Sequence, residues 1–126
     1  MTFGPVESPD MPKALGPYSP AVRAGDFLFV AGQPGLDPST GSVPVGGFEA
    51  EARQAFTNLR TVVEAAGASL DRVVKTTVFL AGADDFAAMN QLFAEFFPTR
   101  PPVRSTPVVA LPRGLRISID AVAFLG

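Results

Sequence analysis

Only two stretches of this chain repeat apolar residues at the helical period, and segments of β type stand before, between and after them. The first, FEAEARQAFTNLRTVVEAAG, places Phe48, Ala52, Phe56, Leu59, Val63 and Ala66 on one face. It opens on acidic residues and ends on Gly67, where a helix C-terminus favours the left-handed region. The second, DDFAAMNQLFAEFF, has Asp84 or Asp85 as its N-cap and Pro98 as its stop. Ahead of both, AVRAGDFLFVAG predicts a hairpin: a short strand, a turn at Gly25-Asp26 and an apolar strand from Phe27 to Ala31. Between them, LDRVVKTTVFLAG is β-branched from Val73 to Leu80 and predicts a strand. The last quarter predicts two more strands, over about 104–110 and 115–124, joined by LPRG. Residues 1–17, rich in Pro and Gly, read as a flexible arm, and residues 33–47 read as loop. The order ββ-α-β-α-ββ implies one α/β (α+β) domain over residues 1–126, with a mixed sheet and two helices.

Two helices of this size cover only one face of a four- or five-stranded sheet. Period two along the final strand turns Ile117, Ile119, Ala121 and Ala123 toward the helices. Arg116, Ser118, Asp120, Val122 and Phe124 then point the other way. A face that mixes polar and aromatic side chains suits a subunit interface with a site in it, so a homo-oligomer is expected. A charged content of 17% beside 47% hydrophobic residues agrees with surface buried against another subunit.

Absences narrow the chemistry. Without histidine the chain lacks the usual proton shuttle and the commonest metal ligand, and without cysteine it has no thiolate, zinc–thiolate site or disulfide. Reaction must run on carboxylates, arginine, lysine, hydroxyls, backbone groups and water. A net charge of −2 argues against bulk attraction to phosphate backbones. Arg100, Arg104, Arg113 and Arg116 form a local basic concentration, yet a chain with one tyrosine and no tryptophan lacks the aromatic interleaving of a single-strand binder. No apolar run reaches membrane-spanning length and MTFGPVESPDMPK has no signal-peptide core, so a cytoplasmic protein is expected.

Arg104, in TRPPVRSTPVV, either anchors a carboxylate through its planar fork of donors or makes a surface or interface salt bridge. Asp120, mid-strand on the mixed face, either acts as a general acid/base holding a water or pairs with an arginine at an interface. Asn90 occupies the i+4 place after Phe86 in a row with Phe93 and Phe97, where an amide needs a hydrogen-bonding loop or a ligand. Tyr18 in GPYSP either walls a pocket or packs the arm, and Gly32 either lets backbone approach a ligand or permits a turn. Pro107 favours a bulge or an edge for its strand.

The segments GPYSPAV, GDFLFVAGQ, EARQAFTNLRTVVEAAG, VVKTTVFLAGADDFAAMNQLFAEFF and PPVRS…LPRG…ISIDAVA together resemble the RidA (YjgF/UK114) family of enamine/imine deaminases over nearly the whole chain. The resemblance implies a chorismate-mutase-like fold whose sheets close into a homotrimeric barrel with clefts between neighbours. It implies hydrolysis of 2-aminoacrylate-type enamines and imines to 2-ketoacids and ammonia, without metal or organic cofactor. Arg104 would bind the substrate carboxylate and Asp120, on the neighbouring strand and where the family has glutamate, would place the water. Tyr18, Gly32, Asn90 and Thr106 match other cleft positions. Thr106 stands for a common cysteine, and Ala31 for a common serine. A non-catalytic carboxylate binder is the alternative; an endoribonuclease or translation inhibitor and a chaperone-like role are further family associations.

Overall fold

The apolar spacing is realised as two helices on one sheet in a computed structural model that describes residues 3–126. The helices are α1 (Gly47–Ala65) and α2 (Phe86–Phe96). The strands are β1 (Phe3–Val6), β2 (Ala21–Ala24), β3 (Phe27–Pro34), β4 (Val73–Leu80), β5 (Val103–Ser105) and β6 (Ile117–Phe124). They form one sheet in the order β1-β2-β3-β6-β4-β5, antiparallel except between β4 and β5. This is the mixed α+β, chorismate-mutase-like arrangement expected from the sequence.

Local chemistry sets the element ends. Gly25 takes φ 61° in the two-residue β2–β3 hairpin, as a Gly-X turn requires. Gly67 takes φ 88° after α1, and the amides of Gly67 and Ala68 donate to the carbonyls of Glu64 and Val63, both at 3.0 Å. Asp85 precedes α2, but its carboxylate accepts from Arg116 Nη2 at 2.8 Å instead of capping the helix.

The core lies between the helices and one sheet face. Leu28, Val30, Val78, Leu80, Ile117, Ile119, Ala121 and Ala123 supply the sheet side. Phe56 and Leu59 of α1, with Met89 and Phe93 of α2, supply the helix side. Phe56 is wholly buried, and its ring meets those of Phe96, Phe93 and Phe97 at centroid distances of 5.1, 6.0 and 6.5 Å. The opposite sheet face carries Phe27 and Phe29, each over two-fifths exposed, with Phe79, Ser118, Asp120, Val122 and Phe124.

Two features of the chain ends differ from the sequence expectation. The segment read as an arm over 1–17 contains β1, paired along β2 from Phe3↔Ala24 to Val6↔Ala21; residues 1 and 2 lie outside the described residues. Gly4-Pro5 in that strand hid it, since both residues are poor strand formers. The two terminal strands are also not neighbours. β6 inserts between β3 and β4, and β5 lies beyond β4, parallel to it, as a crossover through α2 demands. The strand expected over 104–110 shrinks to Val103–Ser105 because Pro107 has no amide to offer β4. Pairing resumes only at Leu80, whose amide donates to the Pro107 carbonyl at 3.0 Å and whose carbonyl accepts from Val109 at 2.9 Å. Prolines send β5 to an edge, and the full apolar alternation of β6 sends it to the centre.

The loop after β3 is locked to α1 at Gly35. A Cβ there would lie 2.0 Å from the Glu51 carbonyl oxygen. The Glu51 carboxylate is itself buried and accepts the Arg116 amide at 2.7 Å. Gly35→Ala is therefore expected to lower stability by about 2–3 kcal/mol through overpacking, seen as a lower urea midpoint with an unchanged slope.

Candidate functional site

Arg104 sits in β5 opposite Thr76, and Thr76 in turn faces Ala121 of β6. That row points to the helix side of the sheet, where Thr76 and Ala121 are buried. The guanidinium reaches over the sheet edge onto α2. Its carbon lies 4.8 Å from the Phe93 ring centroid and 5.5 Å from that of Phe86, and Nη1 is 3.7 Å from the Met89 sulfur. Phe86, Met89, Asn90 and Phe93 follow at i, i+3, i+4 and i+7, so Asn90 shares the stripe that cradles the cation. Asn90 is half-buried rather than enclosed and makes no side-chain hydrogen bond among the described residues, so its amide is free for a ligand.

No carboxylate among the described residues lies within ion-pair distance of Arg104; the ion pairs engage Arg53 and Arg116. The guanidinium is thus held by aromatic faces and by one bond from Nη1 to sulfur, with its other donors free of any carboxylate among the described residues. Thr106 is half-buried just beyond β5. The alternation that aims the Pro107 carbonyl and the Val109 amide at Leu80 turns the Thr106 amide outward, beside Arg104.

Asp120 lies elsewhere. It pairs with Thr77, one residue out of step with the Arg104 row, and so points to the open face. Its Oδ1 accepts from the Thr77 amide at 3.2 Å. The expectation that Arg104 and Asp120 stand on neighbouring strands is corrected: β4 separates them and they leave opposite faces of the sheet.

Gly32 gathers with Asp120. Between Val30↔Ala121 and Gln33↔Ile119, Ala31 and Gly32 together oppose Asp120, forming a bulge in β3. A Cβ on Gly32 would stand 2.7 Å from Ser118 Oγ, so any larger residue there forces that hydroxyl to turn away. Ser118 is a site residue that sequence reasoning did not single out. Its only signal was period two, which put it on the face of Asp120, and nothing in the sequence reveals the bulge that brings it to Gly32. Tyr18 walls the same corner: its ring and Gly32 line a recess of about 90 Å³, and its hydroxyl accepts the Leu15 amide at 3.0 Å. At the rim, two hydrogen bonds from Ser39, side chain and backbone, hold the Asp37 carboxyl below its ordinary range.

The residues singled out from the sequence therefore fall into two groups. Arg104, Thr106 and Asn90 stand at the β5–α2 edge; Tyr18, Gly32, Asp120 and the added Ser118 stand around the β3 bulge. One chain does not bring the groups together. No helix among the described residues is long and apolar enough to cross a membrane.

Comparison with known proteins gives a consistent picture. The family model described as Endoribonuclease L-PSP matches residues 8–125. The 2-iminobutanoate/2-iminopropanoate deaminase of Mus musculus is 45% identical over 116 residues, covering 91% of this chain and 86% of that one. RidA from an Antarctic Psychrobacter superposes with a TM-score of 0.91 at 37% identity, over 96% of this chain and 98% of that chain. E. coli TdcF, solved with bound serine, gives 0.90 at 33% identity, over 98% and 99%. A match of this extent, in sequence and in fold, makes the chain a member of the Endoribonuclease L-PSP family, the RidA family of the sequence resemblance.

Proposed function

We propose that the protein hydrolyses 2-aminoacrylate-type enamines and imines to 2-ketoacids and ammonia, in the cytoplasm, at clefts between the subunits of a homotrimer. The observation that carries this reading is Arg104: a cation cradled by Phe86, Met89 and Phe93 with no acid partner among the described residues. A planar fork in that state is preorganised for a carboxylate. The outward Thr106 amide adds a donor beside it, and the Asn90 amide a third polar group.

The second half of the cleft comes from a neighbouring copy, whose open sheet face carries Gly32, Ser118 and Asp120. The bond of Asp120 Oδ1 to the Thr77 amide fixes the carboxylate and leaves Oδ2 for a water, with the Ser118 hydroxyl as a second partner. The bulge at Ala31–Gly32 lets the substrate approach the backbone closely. The water oxygen adds to the imine carbon while the nitrogen takes up a proton. The resulting carbinolamine loses ammonia as its hydroxyl proton departs, leaving the ketone. The imine is already electrophilic, so orientation supplies much of the acceleration. Names of relatives that act on 2-iminobutanoate and 2-iminopropanoate support the same reaction.

A cleft shared between chains has a distinctive consequence. Arg104→Ala damages one half and Gly32→Val the other, so each homo-oligomer is expected to be inactive. Unfolding and refolding the two variants as an equimolar mixture regenerates intact clefts wherever both good halves meet, about one in four in a closed ring. Recovery of about a quarter of the wild-type ketoacid release is the expected result. No recovery from a mixture whose hybrid assembly is verified by mass would place the whole site within one chain.

A further inference from the structure

We propose that the recess beside Gly32 receives the substrate's side chain and selects a branched aliphatic one of three or four carbons over a methyl group. This rests on the deaminase reading above and names the substrate class that the reading leaves open.

Gly32 and Tyr18 line the recess together with Pro12, Leu15, Pro20 and Leu36. Most of its polar neighbours already make hydrogen bonds within the chain. Gln33 Nε2 donates to the Ala31 carbonyl at 3.0 Å. Asn58 Nδ2 donates to the carbonyls of Pro34 and Leu36, both at 2.9 Å, and its Oδ1 accepts from Gln54 at 2.8 Å. Asp37 Oδ1 accepts from the amide and the hydroxyl of Ser39. Lys13, also at the lining, is exposed to solvent. A polar substrate side chain would thus find few free partners, whereas an apolar one gains burial.

Size points the same way. A volume of about 90 Å³ is several times the roughly 10–15 Å³ that a single water requires of such a cavity, which leaves room for a branched aliphatic group. The methyl of 2-iminopropanoate leaves most of that space empty, and the isobutyl group of 4-methyl-2-iminopentanoate occupies more of it. Each buried methylene is worth about fourfold, so a preference of about 10- to 100-fold in kcat/KM is expected for the larger imine.

The test generates both imines in situ with an amino-acid oxidase and measures ketoacid release by the wild-type protein, Leu36→Phe and Leu15→Ala. Leu36→Phe narrows the recess and brings the ratio to one or below. Because Leu36 is buried, that variant can lose its fold; Leu15 is half-exposed on the N-terminal segment, and its truncation lowers the ratio about fourfold in a folded protein. Calorimetry with 4-methyl-2-oxopentanoate and pyruvate reads the recess without turnover. A ratio at or below one in the wild type, with both imines hydrolysed, overturns the inference and leaves the deaminase reading standing. No turnover of either imine, with tighter binding of the larger ketoacid, supports the recess and ends the deaminase reading; no turnover with equal binding overturns both.

Discussion

Arg104→Ala is expected to lower ketoacid release from freshly generated 2-aminoacrylate by about 10²- to 10⁴-fold. The estimate follows from two charge-assisted hydrogen bonds of about 1.5–3 kcal/mol each, lost together with the orientation they impose. The fold has little reason to fail. The guanidinium leaves two aromatic faces and a sulfur, contacts worth about 0.5–1 kcal/mol at a partly exposed site. Light scattering should therefore report an unchanged assembly mass while activity collapses. Arg104→Lys keeps the charge and loses the fork, and an intermediate loss of about 10- to 100-fold separates geometry from charge. A folded Arg104→Ala protein that released ketoacid at the wild-type rate would end the proposal that this residue anchors the substrate.

Phe56→Ala carries the largest expected effect on stability. Its ring is fully buried and touches three other phenylalanine rings, which makes it the joint between α1 and α2. Truncation removes the transfer free energy of the ring and leaves a cavity that two packed helices cannot close. A loss of about 3–5 kcal/mol is expected, against a total of about 5–15 kcal/mol for a domain of ordinary stability. Urea unfolding followed by far-ultraviolet circular dichroism measures it. The effect reaches the site as well, because Phe93 contacts both the Phe56 ring and the Arg104 guanidinium. Phe56→Leu keeps most of the volume and should recover more than half of the loss. A shift below about 1 kcal/mol for Phe56→Ala would mean that the helices are held together elsewhere.

Helical spacing in two segments and strict alternation in β6 made the core and its facing direction legible from sequence, down to Ile117, Ile119, Ala121 and Ala123 pointing inward. The hairpin turn at Gly25-Asp26 and the C-terminal glycine of α1 were legible because each answers a local backbone need. Strand order was not. Propensity along 103–110 cannot say that Pro107 faces a carbonyl of β4, nor that β6 passes β5 to reach the middle of the sheet. That one topological fact also decided the site. Adjacent strands would have put Arg104 and Asp120 within one strand spacing; the observed order sets β4 between them, and their registers on it, at Thr76 and Thr77, send them to opposite faces. Ser118 escaped notice for a related reason: its partner is a bulge, and bulges arise from pairing between strands rather than from either strand alone.

The edges of the sheet have a consequence for its behaviour at high concentration. One edge is β1, interrupted by Gly4-Pro5, and the other is β5, three residues long with Pro101, Pro102 and Pro107 around it. Neither offers the uninterrupted row of amides that a foreign strand needs as a template. Growth by strand addition, the route to fibrils, is blocked at both ends. This holds even though one sheet face exposes phenylalanine rings.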